Sequence, residues 1–502
     1  MCTPAKRIKT QGDESFEEFL KSVEAERHEV ASSVLDFPYN KKRVRVLSEA
    51  KELPESSNGV LYWMTRENRV QDNWSLLFAQ KLALKNEVPL HVCFCLLPKY
   101  MDATIRHYRF MLKGLEELSL ELKNLQIPFH LIFCSDNVET VRKFVAKNDI
   151  GAVVLDFSPL KISTSWVDQL KESLPDNVPL CQVDGHNIVP CWIASDKLEY
   201  GARTIRNKIN TKLDEFLTKF PPVIKHPFKS NIKSEEIEWS KLEEKLDVDM
   251  KVSPVNWAKP GYKAGMQTLF EFCDKRLKNF ATKRNNPLEN ALSNLSTWFH
   301  FGQISIQRCI LYVQTFKSKY KDSVSSFCEE AIVRRELADN FCFYNKNYDN
   351  LDGAYDWAKK TLNDHKKDKR TWLYTDQELE EAKTHDDLWN SAQIQLNTEG
   401  KMHGFLRMYW AKKILEWTQS PEDALRVALY LNDKYSLDGR DPNGFVGCMW
   451  SICGIHDQGW REREIFGKIR YMNYQGCERK FDVKAFVARY GGKVYGKKKS
   501  KS

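Results

Sequence analysis

The chain has 502 residues, 42% of them hydrophobic and 12% aromatic with 14 Trp, enough for two domains with large cores and for ring surfaces that stack as well as pack. A net charge of +9 suits a polyanionic partner without establishing one. The 13 cysteines lack CxxC pairs and metal-ligand spacing, which points to a reduced intracellular protein without a metal centre, and no apolar run reaches the roughly 18 to 20 residues of a membrane span.

Residues 1–58 open with the basic run Pro4-Ala5-Lys6-Arg7-Ile8-Lys9 and read as a basic, partly disordered segment, suited to nuclear import or phosphate contact. Over 59–185, short apolar runs alternate with helix-length amphipathic stretches. The runs are Val60 to Met64, Leu90 to Leu96, Phe129 to Phe133 and Val153 to Phe157, the rhythm of a doubly wound parallel sheet of Rossmann-like α/β type. No G-x-G-x-x-G turn or P-loop accompanies it, so nothing supports a conventional dinucleotide or NTP site. Residues 186–260, rich in Lys, Pro and Glu, show no sustained periodicity and read as an interdomain linker. From 261 to 490 strand signals vanish and helical patterns take over: Met266 to Thr282, Ile304 to Tyr320, Ser326 to Asn340, Leu379 to Lys383, Met402 to Trp417 and Pro421 to Asp433. Residues 491–502 form a basic tail with five lysines and no acid.

Four segments of the helical region carry residues suited to chemistry. Ser293-Asn294-Leu295-Ser296-Thr297 places hydroxyls and an amide just before a helix, which fits either capping or a pyrophosphate. Phe327 to Phe341 puts Glu329, Glu330, Arg334, Arg335 and Glu336 on one helix, either as ordinary ion pairs or with some members facing a cavity. In His403 to Trp410, Arg407 sits in an apolar, aromatic helix and requires an acid partner, which Asp438 in the loop after Leu437 is placed to supply. Gly454 to Arg463 and Lys468 to Asn473 mix basic and aromatic side chains, as a surface holding phosphates and an unstacked base would. Trp410 and Trp417, seven residues apart, project from one helix face, with Trp389 nearby in sequence.

The segments Phe327 to Phe341 and Gly454 to Asn473 resemble the two signature segments of class II cyclobutane pyrimidine dimer photolyases, and the resemblance runs from Gly59 to Tyr490. It implies an α/β antenna domain joined by a long linker to a helical domain that binds FAD. By this resemblance Ser293, Asn294, Leu295, Ser296 and Thr297 hold the flavin phosphates, Arg407 and Asp438 pair beside the ring system, and Asn432, or else Asn443, meets flavin N5. Phe280 stands where some relatives have a tyrosine. The implied reaction is light-driven repair of dimers flipped out of ultraviolet-damaged DNA, with Glu330, Met408 and Trp450 on the dimer and Arg334, Asp457, Trp460, Lys468 and Arg470 on the strand. Trp410, Trp389 and Trp417, in that order outward, form the route that regenerates the reduced cofactor. The antenna chromophore is a deazaflavin, a folate or none.

The expected protein is a nuclear monomer that acts on DNA and has no membrane association. A cryptochrome-like photoreceptor on the same fold is the alternative, and the short stretch after Tyr490 favours repair over it. A silent nucleic-acid binder gives Arg407, Asp438 and the three indoles no shared purpose.

Overall fold

The computed structural model describes residues 15–496. Six strands form one sheet in the order β1-β6-β5-β2-β3-β4: β1 (Val44–Val46), β2 (Val60–Trp63), β3 (Leu90–Leu96), β4 (Phe129–Phe133), β5 (Ala152–Asp156) and β6 (Leu180–Val183). All pairings are parallel except β1 with β6. The central strands are apolar along their whole length because helices cover both faces. Val60 and Tyr62 of β2 pack with the helices Trp74–Lys85 and Ile105–Asn124, while Leu61 and Trp63 pack with Asn137–Lys147 and Lys161–Ser173. The chain winds from β2 through β3 to β4 and then returns to the other side for β5 and β6, so the order reverses between β2 and β5. Asp156 ends β5 at that point and binds the start of the neighbouring loop. Its carboxylate accepts from Tyr62 Oη at 2.7 Å and from the amides of Thr65, Arg66 and Glu67 at 2.9, 2.8 and 3.1 Å.

Two segments depart from the expectation of disorder or loop. Within residues 15–58, Ser15 and Glu18 form a reciprocal capping box that starts the helix Phe16–Val30. Its buried Phe19 and Val23 pack beside Phe270 and Tyr312 in the core of the helical region, and β1 adds an antiparallel edge to the sheet. The basic run at Pro4 to Lys9 lies outside the described residues. Residues 186–260 are also more ordered than a bare linker, since they contain the helices Cys191–Ala194, Ala202–Asn210 and Leu213–Phe216 and bury Ile205, Ile209 and Phe216. The tail is pinned as far as Tyr495, whose amide donates to Thr384 O at 3.0 Å, and Lys497 to Ser502 lie outside the described residues.

Beyond Gly261 the described chain is helical, with two π-turns, Phe272–Arg276 and Glu329–Arg334, set into helices. Buried charges fasten this region to the sheet. Asp72 receives both Arg27 and Arg308, at 2.9 and 3.0 Å, and Arg66 forks onto Asp339 at 2.9 and 3.1 Å. Asp72 is fully buried, and the two guanidiniums overcome the effect of burial and hold its carboxyl well below the usual range.

Candidate flavin and DNA site

A cavity in the helical region is lined by Phe280, Ser293, Ser296, Phe327, Glu330, Arg407, Asp438 and Asn443, which sequence had singled out separately, and also by His186, Phe299, His300, Ala331, Arg335, Asp441 and Gly444. Arg407 Nη2 donates to Asp438 Oδ1 and to Ser436 Oγ, each at 3.0 Å, and Nε donates to Met402 O at 3.2 Å. Burial would raise the Asp438 carboxyl, but Arg407, Ser436 and Ser296 outweigh it and hold the group well below the usual carboxylate range. The Asp438 carboxylate therefore stays ionised across neutral pH.

Near it Asn294 takes a left-handed backbone, φ +62°, two residues before the short helix Ser296–His300, whose N-cap residue Leu295 provides no side-chain cap. Lys401 donates to Asn294 Oδ1. Burial pushes the Lys401 amine down to about 8 against the pull of Asp438, with Arg407 and Arg276 adding repulsion. Arg276 Nη2 reaches Ser293 O at 3.4 Å, while its buried Nε has no hydrogen-bond partner. Arg407 and Lys401 thus share the Asp438 carboxylate, and Arg276 beside Ser293 keeps an orphan donor. That donor set fits a diphosphate bound next to an uncharged ring system, as a flavin dinucleotide would present. Arg335 Nη1, also buried and without a partner, adds a second free donor on the cavity wall. Lys401 and Arg276 carried no usable sequence signal, because a lone cation among polar residues looks solvated, whereas Arg335 belongs to the segment read as either ion-paired or facing a cavity.

Of the two asparagines, Asn443 lines the cavity, is exposed, and donates to Asp441 Oδ1 at 2.9 Å. Asn432 is buried behind Gly444, and its amide donates to Asp433 at 3.0 Å. A Cβ on Gly444 would lie 2.9 Å from Asn432 Nδ2, so glycine there lets the amide reach the wall.

The π-turn Glu329–Arg334 explains the acidic segment. Its wider turn lets Glu329 meet Arg334 five residues on, at 3.1 Å, and Glu329 also takes Arg206 at 2.7 Å. Glu330 is left exposed at the cavity mouth, with Arg284 3.9 Å away. A second group lies in and beside the loop from His456 to Arg470. Arg470 forks onto Asp457 at 2.8 and 3.0 Å, and its guanidinium lies 4.2 Å from the Trp460 ring centre and 5.6 Å from that of Trp450. Trp460 and Lys468 are exposed, and Trp450 and Met408 are half-buried. Arg470, expected on phosphate, thus commits two of its donors to Asp457.

The indoles form a continuous file. Trp410 and Trp389 are parallel within 8° at 6.4 Å between centroids, and Trp389 meets Trp417 at 5.7 Å and 66°. Trp417, expected as the outermost member, is itself 1% exposed, because Tyr374 and His385 cover it at 5.7 and 5.0 Å.

A family model described as DNA photolyase matches residues 60–226. A deoxyribodipyrimidine photo-lyase of Potorous tridactylus is 60% identical over 95% of this chain and 90% of the relative. The chain belongs to the DNA photolyase family. Photo-lyases of Arabidopsis thaliana, 47% identical over 89% of this chain and 92% of the relative, and of Methanothermobacter thermautotrophicus, 40% identical over 86% and 94%, complete the animal, plant and archaeal spread of class II. Membership implies a flavin cofactor, which the donor set above accommodates. A class III photolyase of Agrobacterium tumefaciens shares the fold at TM-score 0.67 and 18% identity, with 88% of each chain covered. A Synechocystis cryptochrome shares it at TM-score 0.67 and 14% identity, covering 88% of this photolyase and 89% of that chain. No described helix is long and apolar enough to cross a membrane, and no metal-ligating cluster occurs among the described residues.

Proposed function

We propose that this photolyase splits cyclobutane pyrimidine dimers in ultraviolet-damaged DNA under light, with FAD held in the cavity between Arg407–Asp438 and the Ser293–Thr297 segment. The observation that carries this reading is the placement of Glu330 at the mouth of that cation-floored cavity. FAD held there in its fully reduced form would supply the light-driven electron for splitting the dimer, with no net oxidation. The protein does the remaining work. Arg276, Lys401, Ser293, Asn294, Ser296 and Thr297 bind the phosphates, with Leu295 packed beneath them. Arg407 and Asp438 fix the ring system, Asn432 or Asn443 meets its N5 edge, and Phe280 closes the wall. Glu330 hydrogen-bonds the dimer carbonyls or gives them a proton, Trp450 stacks on the dimer and Met408 lies against it. Asp457, Trp460, Arg470, Lys468 and Arg334 hold the strand around the vacated position.

Trp410, Trp389 and Trp417 relay electrons inward to restore the reduced cofactor. A second cavity, at the carboxyl ends of the strands where their order reverses, is lined by Trp63, Phe94, Tyr100, Trp166, Arg66 and Arg440 and suits a planar antenna such as a deazaflavin or folate. The protein acts as a monomer, and its basic termini suit nuclear import.

The test is a repair assay: chemically reduced holoenzyme under near-ultraviolet light should clear dimers from an irradiated oligonucleotide, and intact dimers would refute the reading. Glu330→Ala should lower the repair yield by about tenfold while affinity for the damaged strand stays within about twofold. Equal losses in both would assign Glu330 to binding alone. Affinity should fall steeply with salt. Lys468→Ala should reduce the magnitude of the log–log slope by about 1 and weaken damaged and undamaged DNA alike, as expected of a phosphate contact. An unchanged slope would remove Lys468 from the interface.

A further inference from the structure

Lys412 has no part in the scheme above, yet it lies under the ring assigned to the dimer. It belongs to the helix Gly404–Trp417, is 0% exposed, and donates from Nζ to Ser451 O at 2.8 Å. The same Nζ sits over the Trp450 ring, 5.2 Å from its centroid, with the Arg470 guanidinium 5.6 Å from that centroid. Among the described residues no carboxylate lies within ion-pairing distance of Lys412. Burying an amine with a single hydrogen bond is costly, and a methionine of similar length would fill the space at no such cost. The cost falls behind the indole that is expected to carry the dimer on its other side.

We propose that the Lys412 ammonium is a positioning residue for repair: acting through Trp450, it sets a positive charge behind the stacked dimer and favours the state in which the dimer holds an extra electron. This rests on Trp450 being the stacking ring. Repair places one electron on the dimer, opens the two carbon–carbon bonds that join the pyrimidines and withdraws the electron again, so no net oxidation occurs. Negative charge exists on the dimer only in between, and a fixed cation that is present beforehand lowers the energy of that interval without reorganising. Two cations beside Trp450 also oppose removal of an electron from it, which leaves Trp410 as the easier donor.

The amine faces Asp457, Arg470 and Cys453 from neighbouring segments. Burial pushes it down to about 7, with Asp457 pulling it up, Arg470 pushing it down further and Cys453 pulling it up. The ammonium is thus present on the acid side of neutrality and lost as pH rises. The depressed value also means that burying Lys412 costs stability, so Lys412→Met should fold at least as well as the parent.

The experiment measures single-flash repair yield of chemically reduced holoenzyme saturated with a thymine-dimer oligonucleotide between about pH 6 and about pH 9. The parent should lose yield as pH rises through neutrality. Lys412→Met should be lower by about threefold at the acid end and flat with pH, with binding of the dimer unchanged. Lys412→Arg, which keeps its charge throughout, should retain the yield and also be flat. A Lys412→Met profile that matches the parent overturns the proposal, as does a Lys412→Arg profile that still falls with pH or drops to the methionine level. Trp450→Ala separates the two readings. If it leaves preference for dimer-containing DNA intact, the stacking assignment is wrong; if that preference falls while Lys412→Met behaves as the parent, only the present inference fails.

Discussion

Replacing Trp410 with phenylalanine is expected to abolish light-driven reduction of the bound flavin while leaving repair by chemically reduced protein within about twofold of the parent. The three indoles are the continuous file of easily oxidised rings that runs from Trp410 to Trp417, with successive centroids 6.4 and 5.7 Å apart. Phenylalanine fills most of the space but is far harder to oxidise, so the file is interrupted at the Trp410 end. The substitution also removes the Nε1 donor that Gln393 Oε1 accepts at 2.7 Å inside the core, a stability cost of about 1–3 kcal/mol for the orphaned amide. That cost is structural and falls equally on both assays, whereas the loss of photoreduction does not. The measurement is flavin absorbance under blue light with an external reductant, set beside repair after chemical reduction. If both fall together, Trp410 supports the fold and not the relay. If neither falls, electrons enter by another route.

The parts of this protein that are legible in its sequence are those where one interaction dominates locally. β2, β3 and β5 announce themselves as unbroken apolar runs because both faces of the sheet are covered, and alternation is absent for the same reason. β1 is three residues long, and no run of three has a period to detect. The helix Phe16–Val30 did carry a signal, the Ser15-x-x-Glu18 box, but its charged surface and the basic residues before it pointed to a tail. The π-turn at Glu329–Arg334 defeats a reading in steps of three and four, since Glu329 finds its partner at five.

Proximity across the chain is the other limit. Arg407 asks for an acid by being cationic in an apolar helix, and Asp438 answers from 31 residues away. Arg276 and Lys401 ask for nothing that sequence can show, because the partner proposed for them is an anion outside the chain. Lys412 and Lys413 are both buried, one against Ser451 and the other against Glu416, and only the second has its partner within one helical turn in the sequence.

Asp438→Ala is the second change expected to have a large effect, with flavin retention as its readout. Removing one member of a buried pair leaves the other uncompensated, at about 3–5 kcal/mol when burial is complete. The Arg407 side chain is 31% exposed and that of Asp438 17%, so solvent screens part of this and about 2–3 kcal/mol is the expected loss, or about 30- to 160-fold in flavin affinity. The local charge balance adds to it. Asp438 is the main group that supports the Lys401 ammonium, so without it the Lys401 amine should fall below its present value of about 8 and the phosphates should lose a cation at neutral pH.

Asp438→Asn tests the charge separately, since it keeps the shape and one hydrogen bond. It should lose flavin more steeply than the parent as pH rises past neutrality, because Lys401 deprotonates earlier. The parent has the opposite sensitivity from Asp438 itself. Its carboxyl is held below the unfolded value, so the contribution of the pair is present throughout neutral pH and disappears only as pH falls through the depressed native value, well below the usual carboxylate range. Flavin release followed by fluorescence across pH would show both trends. An Asp438→Asn profile parallel to the parent on the alkaline side would mean that Lys401 does not reach the phosphates.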